Sequence, residues 1–131
     1  MPCFKDNEIA EPEIGHRDRT KLMIVDDDAE VRVIVAEFLE DFGYDVLQAP
    51  GGAEALQMLA ENPDVRMMIT DIRMPDMSGI ELANIATQRQ HDLKVILISG
   101  YFVSQQVDRR FIRKPFRMNE LRAAVRAELD Q

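Results

Sequence analysis

Four short apolar stretches each lead to a polar group, and that pattern leaves few folds open. Leu22-Met23-Ile24-Val25 runs into Asp26-Asp27-Asp28, and Met67-Met68-Ile69-Thr70 runs into Asp71. Val95-Ile96-Leu97-Ile98 runs into Ser99, and a weaker stretch at Phe111-Ile112 leads to Lys114-Pro115-Phe116. Between them lie segments with apolar residues at helical spacing. Apolar runs of strand length alternating with amphipathic helices predict an α/β domain built on a parallel sheet. In such a sheet the C-terminal strand ends lie side by side, and the crevice there is the usual ligand site. The chain is therefore expected to gather several carboxylates, a hydroxyl and an ammonium in one pocket.

Strands are predicted over 22–25, 44–49, 66–70 and 95–98, with a short one at 111–112. A helix is predicted over 29–42, with Val31, Val35, Phe38 and Phe42 on its inward face. Asp28 is placed to cap it and Gly43 to end it. Gly51-Gly52 opens a second helix through Ala55, Leu56 and Leu59, which Asn62-Pro63 closes. A third, after the Pro75 turn, carries Leu82, Ile85 and Ala86, and the last carries a stripe of Met118, Leu121, Val125 and Leu129. Residues 101–108 have room for barely two helical turns. Residues 1–20 lack periodicity and read as a polar arm or linker, leaving 21–131 as the domain.

A chain of 131 residues suits one domain. At 46% hydrophobic and 31% charged it is an ordinary globular composition, not a disordered one. The net charge of -8 argues against nucleic-acid binding, which needs a cationic face. The one cysteine, Cys3, rules out a disulfide framework within the chain and reads as an incidental thiol. No apolar run reaches membrane-spanning length and no secretory signal opens the chain, so a cytoplasmic protein without membrane insertion is expected. His16 and His91 read as surface residues, the eight methionines as core filler, and Asp76 as a turn residue beside Pro75. Arg109, Arg110, Arg113, Arg117, Arg122 and Arg126 read as a solvated face, with docking of an acidic partner as the alternative.

The pocket has a definite chemistry. Two carboxylates about 4 Å apart repel by roughly 4 kcal/mol at an effective dielectric of ~20. Asp26, Asp27 and Asp71 together therefore need an offsetting cation or a raised pKa. All-oxygen ligands suit a hard divalent ion such as Mg2+. Lys114 adds a second positive charge and Ser99 a hydroxyl donor. A carboxylate so placed can attack an activated phosphorus and form an aspartyl phosphate. The phosphoryl group adds charge and acceptor oxygens, toward which Ser99 and Lys114 can move, shifting the loops they anchor.

Taken in order, Lys21 to Asp28, Thr70 to Gly79, Val95 to Gly100, and Lys114-Pro115-Phe116 resemble the receiver domain of the two-component response-regulator family. The resemblance covers about residues 20 to 130. It implies a flavodoxin-like fold, a doubly wound five-stranded parallel sheet of order 2-1-3-4-5. It also implies that Asp71 is the phosphoacceptor, that Asp27 binds Mg2+ directly, and that Asp26 does so through water. The backbone carbonyl of Arg73 completes the metal shell, and Ser99 and Lys114 hold the phosphoryl oxygens. The Lys114–Pro115 bond is expected to be cis, and Phe111 to be the aromatic that reorients on activation. The implied donor is a phosphohistidine on a histidine kinase or a histidine phosphotransfer protein. Catalysis is limited to the domain's own phosphorylation and dephosphorylation.

The chain also departs from the family. Ser99 and Lys114 stand fifteen residues apart, several fewer than usual, so the family's fourth helix is expected to be shortened or irregular and the signalling face altered. Phe111 replaces the commoner tyrosine. Arg73 and Tyr101, two residues beyond Asp71 and Ser99, are expected to overhang the pocket and tune water attack. No output domain follows residue 130, so the chain reads as a stand-alone regulator or as a receiver excised from a hybrid histidine kinase or larger regulator. The kinase, the stimulus and the downstream protein target are not written in the chain. Two other classes compete. A haloacid-dehalogenase-type phosphohydrolase would fit Asp26-Asp27-Asp28, but its motif wants Thr or Val where Glu30 stands. A non-phosphorylated binding module has only the short segment after Ser99 in its favour.

Overall fold

The apolar runs become strands with both faces covered. The structure, a computed structural model, describes residues 19–100 and 109–131. In chain order it has β1 (Lys21–Val25), α1 (Ala29–Asp41), β2 (Asp45–Ala49), α2 (Gly52–Glu61) and β3 (Val65–Asp71). Then come α3 (Gly79–Arg89), β4 (Lys94–Ser99), β5 (Arg110–Arg113) and α4 (Met118–Leu129). The strands pair in parallel in the order β2-β1-β3-β4-β5, the 2-1-3-4-5 sheet that the resemblance implies. The chain steps from β1 out to β2, then returns past β1 to β3 and continues the other way. The β1–β3 junction is thus the switch point, where a doubly wound sheet leaves its crevice.

Strand geometry sends neighbouring side chains to opposite faces. Leu22, Ile24, Met67, Ile69, Ile96 and Ile98 pack with Val35, Ala36 and Leu39 of α1 and Leu121 and Val125 of α4. Met23, Val25, Ala49, Met68, Val95 and Leu97 pack with Ala55 and Leu59 of α2 and Leu82, Ala83 and Ala86 of α3. Because both faces are buried, the runs are continuously apolar instead of alternating. Fully burying a side chain such as Leu22 or Leu121 contributes roughly 2 kcal/mol by removing it from water.

The register brings the polar ends level. Val25 pairs with Thr70, so Asp26 and Asp71 follow at the same height. Asp71 pairs with Ile98, one residue before Ser99, and Ser99 pairs with Arg113, one residue before Lys114.

Local signals set the helix ends. The Asp28 carboxylate accepts from the backbone of Glu30 and Val31 at 3.1 and 3.3 Å, and Gly43 closes α1 in the left-handed region at φ 97°. Ser78 and Glu81 form a reciprocal capping box at the start of α3.

Two expectations need correction. Phe42 does not join the inward face of α1 but is 42% exposed. The buried positions of that helix are Val35, Ala36 and Leu39. The Phe42 ring instead lies edge-on to Phe38, with the Arg122 guanidinium 4.0 Å above it, a cation–π contact across to α4. Arg113, Arg117 and Arg126 are exposed as expected, but Arg109, Arg110 and Arg122 are more than a solvated face. Arg110 Nε donates to Glu128 Oε1 at 2.8 Å, tying β5 to α4. Arg109 reaches Asn84 and Thr87 of α3, at 3.1 Å each. The shortened segment expected after Ser99 falls, for residues 101–108, outside the described residues, as do Tyr101, Cys3, His16 and residues 1–18 of the arm.

Candidate functional site

Asp26, at the end of β1, is buried, and its Oδ1 accepts from the backbone N–H of Asp28 at 2.9 Å. Asp27, one residue on, is exposed. Asp71, at the end of β3, receives the Arg73 N–H on Oδ1 at 3.3 Å. One carboxylate oxygen from each of these three residues lies within 4.8 Å of the others. The Lys114 ammonium donates to Asp71 Oδ2 at 3.1 Å and stands 3.8 Å from Asp26 Oδ2. Ser99 is buried at the end of β4, and its carbonyl accepts from Lys114 N–H at 2.8 Å. The Lys114–Pro115 peptide is cis. Phe111 is half-buried against the core on the α2–α3 face. Arg73 is exposed at the rim.

The β3–α3 loop fixes the Asp71 backbone from three sides. The buried Thr70 hydroxyl donates to the Asp71 carbonyl at 3.0 Å. Ile72 N–H donates to the Ile98 carbonyl at 2.8 Å, and Gly79 N–H to the Ile72 carbonyl at 2.9 Å. A groove of about 610 Å³ between Asp64, Gln90, His91 and Gln131 opens at the other end of the sheet, away from this chemistry.

One ammonium is too little for three carboxylates, and the balance falls on Asp26. Burial pushes its carboxyl above the ordinary value of 3.8, and the charges of Asp71 and Asp27 add to the rise. The Asp28 N–H and Lys114 oppose it. A donor set of oxygens alone, short of positive charge and gathered within 4.8 Å, fits a hard divalent cation.

The sequence matches the family described as the response regulator receiver domain over residues 22–126. The chain belongs to that family. This receiver domain is 34% identical over 108 residues to the response regulator receiver protein CpdR of Brucella abortus. The match covers 77% of this chain and 89% of CpdR. Among solved structures, the receiver domain of the hybrid histidine kinase CckA aligns with a TM-score of 0.75 at 32% identity. That alignment covers 83% of this chain and 98% of the CckA domain. The response regulator TrrA of Thermotoga maritima, in complex with Mg(2+)-BeF, aligns with a TM-score of 0.75 at 30% identity, over 82% of this chain and 97% of TrrA. Receiver domains are regulatory signalling domains that bind Mg2+ at an acidic pocket.

The raised Asp26 value makes the receiver domain's stability depend on pH. Below 3.8 the carboxyl is neutral in both folded and unfolded chains. Between that value and the higher folded one, the unfolded chain has lost the proton and the folded chain keeps it. The unfolded state then binds fewer protons, so stability falls as pH rises through the window. Asp26→Asn is expected to remove this contribution. In metal-free buffer the variant is expected to melt above the unaltered chain at pH 7, with the two curves converging toward pH 4. Equal melting temperatures at pH 7 would contradict the assignment.

Three contributors to the site are given no role by the sequence pattern, although two of them, Thr70 and Gly79, bound one of the matching segments. Thr70 and Gly79 act on the Asp71 backbone, and Arg32 acts on that of Asp26, where its Nη1 donates to the carbonyl at 2.8 Å. Arg32 lies six residues beyond Asp26, inside α1 while Asp26 ends β1, a spacing that no local pattern marks.

Proposed function

We propose that the domain is a phosphoacceptor switch of a two-component phosphorelay, with Asp71 as the acceptor. The observation that carries this is the Lys114 ammonium, 3.1 Å from an Asp71 carboxylate that shares its pocket with Asp26 and Asp27. An Asp71 oxygen attacks the phosphorus of a phosphohistidine. The new O–P bond forms as the P–N bond breaks, and the electron pair leaves with the imidazole, which takes up a proton. Asp26, Asp27, Asp71 and the Arg73 carbonyl would hold Mg2+, which supplies charge to the phosphoryl oxygens when bound. Lys114 neutralises charge on the same group, and the Ser99 hydroxyl donates to it. Arg73, exposed two residues beyond Asp71, governs access of water to the acyl phosphate, a role Tyr101 shares by its place in the sequence two residues beyond Ser99.

After transfer Asp71 no longer offers Lys114 a free carboxylate but a group of higher charge. Ser99 and Lys114 move toward that group, and Phe111 turns with the loop. The surface change is read by a downstream protein. The donor is a histidine kinase or a histidine phosphotransfer protein, acting in the cytoplasm. Among the described residues no helix is long and apolar enough to cross a membrane. Residues 21–131 form the switch and residues 1–20 an arm. A second reading, a receiver belonging to a hybrid histidine kinase, is favoured by the likeness to the CckA domain.

The test is incubation with a small acyl phosphate and MgCl2, followed by mass spectrometry. A stoichiometric label, stable in acid and labile in base, is expected. Steady turnover of an external phosphoester without a retained label would mark a hydrolase and overturn the reading.

A further inference from the structure

We propose that Arg32 is a positioning residue whose guanidinium fixes the Asp26–Asp27 peptide and so sets the affinity of the acidic cluster for a divalent cation. The inference rests on the reading of that cluster as a Mg2+ site.

Asp27 is exposed, and among the described residues no hydrogen bond holds its carboxylate. Its direction therefore depends on the backbone. That backbone is pinned on both sides. Asp26 N–H donates to the Ala49 carbonyl of β2 at 3.2 Å, and the Asp28 side chain is committed to the start of α1. The remaining freedom is rotation of the Asp26–Asp27 peptide plane, which carries the Asp26 carbonyl at one end and the Asp27 Cα at the other. Arg32 holds that carbonyl. Its Nη1 donates to it at 2.8 Å, while its Nε donates to Gln48 Oε1 at 3.3 Å. The planar guanidinium thus spans α1, the end of β1 and β2.

The choice of acceptors matters as much as the distances. Both are neutral oxygens. Among the described residues Arg32 has no carboxylate within ion-pair distance, so it orients the acids without neutralising them. A cation paired directly with Asp26 or Asp27 would compete with the metal. A lysine could reach the carbonyl but could not hold Gln48 in the same plane.

Partners that orient metal ligands are typically worth 10- to 100-fold in metal affinity. Calorimetric titration of the full chain with MgCl2 alone is expected to show about tenfold weaker binding in Arg32→Met, at the low end of that range, with partial recovery in Arg32→Lys. Gln48→Leu, which removes the second acceptor, shifts affinity in the same direction by less. In acyl-phosphate labelling, the Mg2+ concentration giving half the maximal rate rises by the same factor, and saturating Mg2+ restores the rate. A purely structural role would lower the rate at every Mg2+ concentration. Unaltered Mg2+ affinity in Arg32→Met, or a loss that saturating Mg2+ does not restore, would overturn the inference while leaving the site intact. Should Arg32→Met fail to fold, Arg32→Lys and Gln48→Leu carry the same test. Failure of the unaltered chain to bind Mg2+ overturns the site reading and this inference with it.

Discussion

Asp71→Asn is expected to abolish phosphorylation by a small acyl phosphate in the presence of Mg2+ while leaving the fold in place. The amide is the same size as the carboxylate and keeps a carbonyl oxygen for the Arg73 N–H, which Asp71 Oδ1 now accepts at 3.3 Å. What it loses is the nucleophilic charge. Removing a nucleophile costs far more than removing a residue that orients one, so labelling is expected to fall by at least about a thousandfold. The change in stability is small because two effects oppose each other. The variant gives up the charged contact between Lys114 and Asp71 at 3.1 Å. It also loses one of the charges that raise the Asp26 carboxyl. Mass spectrometry after incubation gives the label, and circular dichroism confirms the fold. Labelling at the rate of the unaltered chain would remove Asp71 from its role. A label mapped to Asp26 or Asp27 would move the role to that residue.

Much of this could be read from the chain because strand ends and strand runs carry signals within a few residues. Met67 to Ile69 is apolar throughout and Thr70 is buried with them because both sides of β3 are covered, and Asp71 follows at the point where cover ends. The cap at Asp28 and the stop at Gly43 are likewise local chemistry. The inward face of α1 was harder. Val31, Val35, Phe38 and Phe42 share helical spacing, yet Ala36 and Leu39 are buried and Phe42 is exposed. Apolar residues lie most of the way round that helix, and its contact with the sheet and α4 decides which of them are covered.

The arginines show the same limit. Their charge is visible in the chain, but the partners of Arg109 and Arg110 lie 18 or more residues away in sequence. The site was legible in its carboxylates and lysine because each follows an apolar run. Arg32 and Thr70 shape it by donating to backbone carbonyls, and Gly79 by its own N–H and its smallness; a backbone acceptor leaves no mark in the sequence to say which side chain will reach it.

That smallness gives the second large effect. Gly79→Ala is expected to destabilise the domain by about 3 kcal/mol, the upper part of the range for overfilled sites. A Cβ at residue 79 would run into the carbonyl oxygen of Asp71, with the Asp71 carbonyl carbon at 2.9 Å and Ile72 Cα at 3.0 Å. All three are backbone atoms at the end of β3, so no side chain can turn aside to make room. The strand end cannot shift freely either, because Ile72 N–H is bonded to the Ile98 carbonyl and Thr70 to the Asp71 carbonyl. Relief must come from moving α3 away, which breaks the Gly79–Ile72 hydrogen bond, or from tilting Asp71, which spoils its approach to Lys114. The variant is therefore expected to lose labelling rate as well as stability. Gly43→Ala is the contrast. A Cβ there meets nothing within 4 Å, and the cost is only that of a left-handed φ of 97°, roughly 1–2 kcal/mol. It sits at the far end of the sheet and should leave labelling unchanged. Urea melts of the two variants, each followed by a labelling assay, separate the two uses of glycine. Equal stabilities, with normal labelling in Gly79→Ala, would show that the close approach of α3 to Asp71 is not what holds that residue in place.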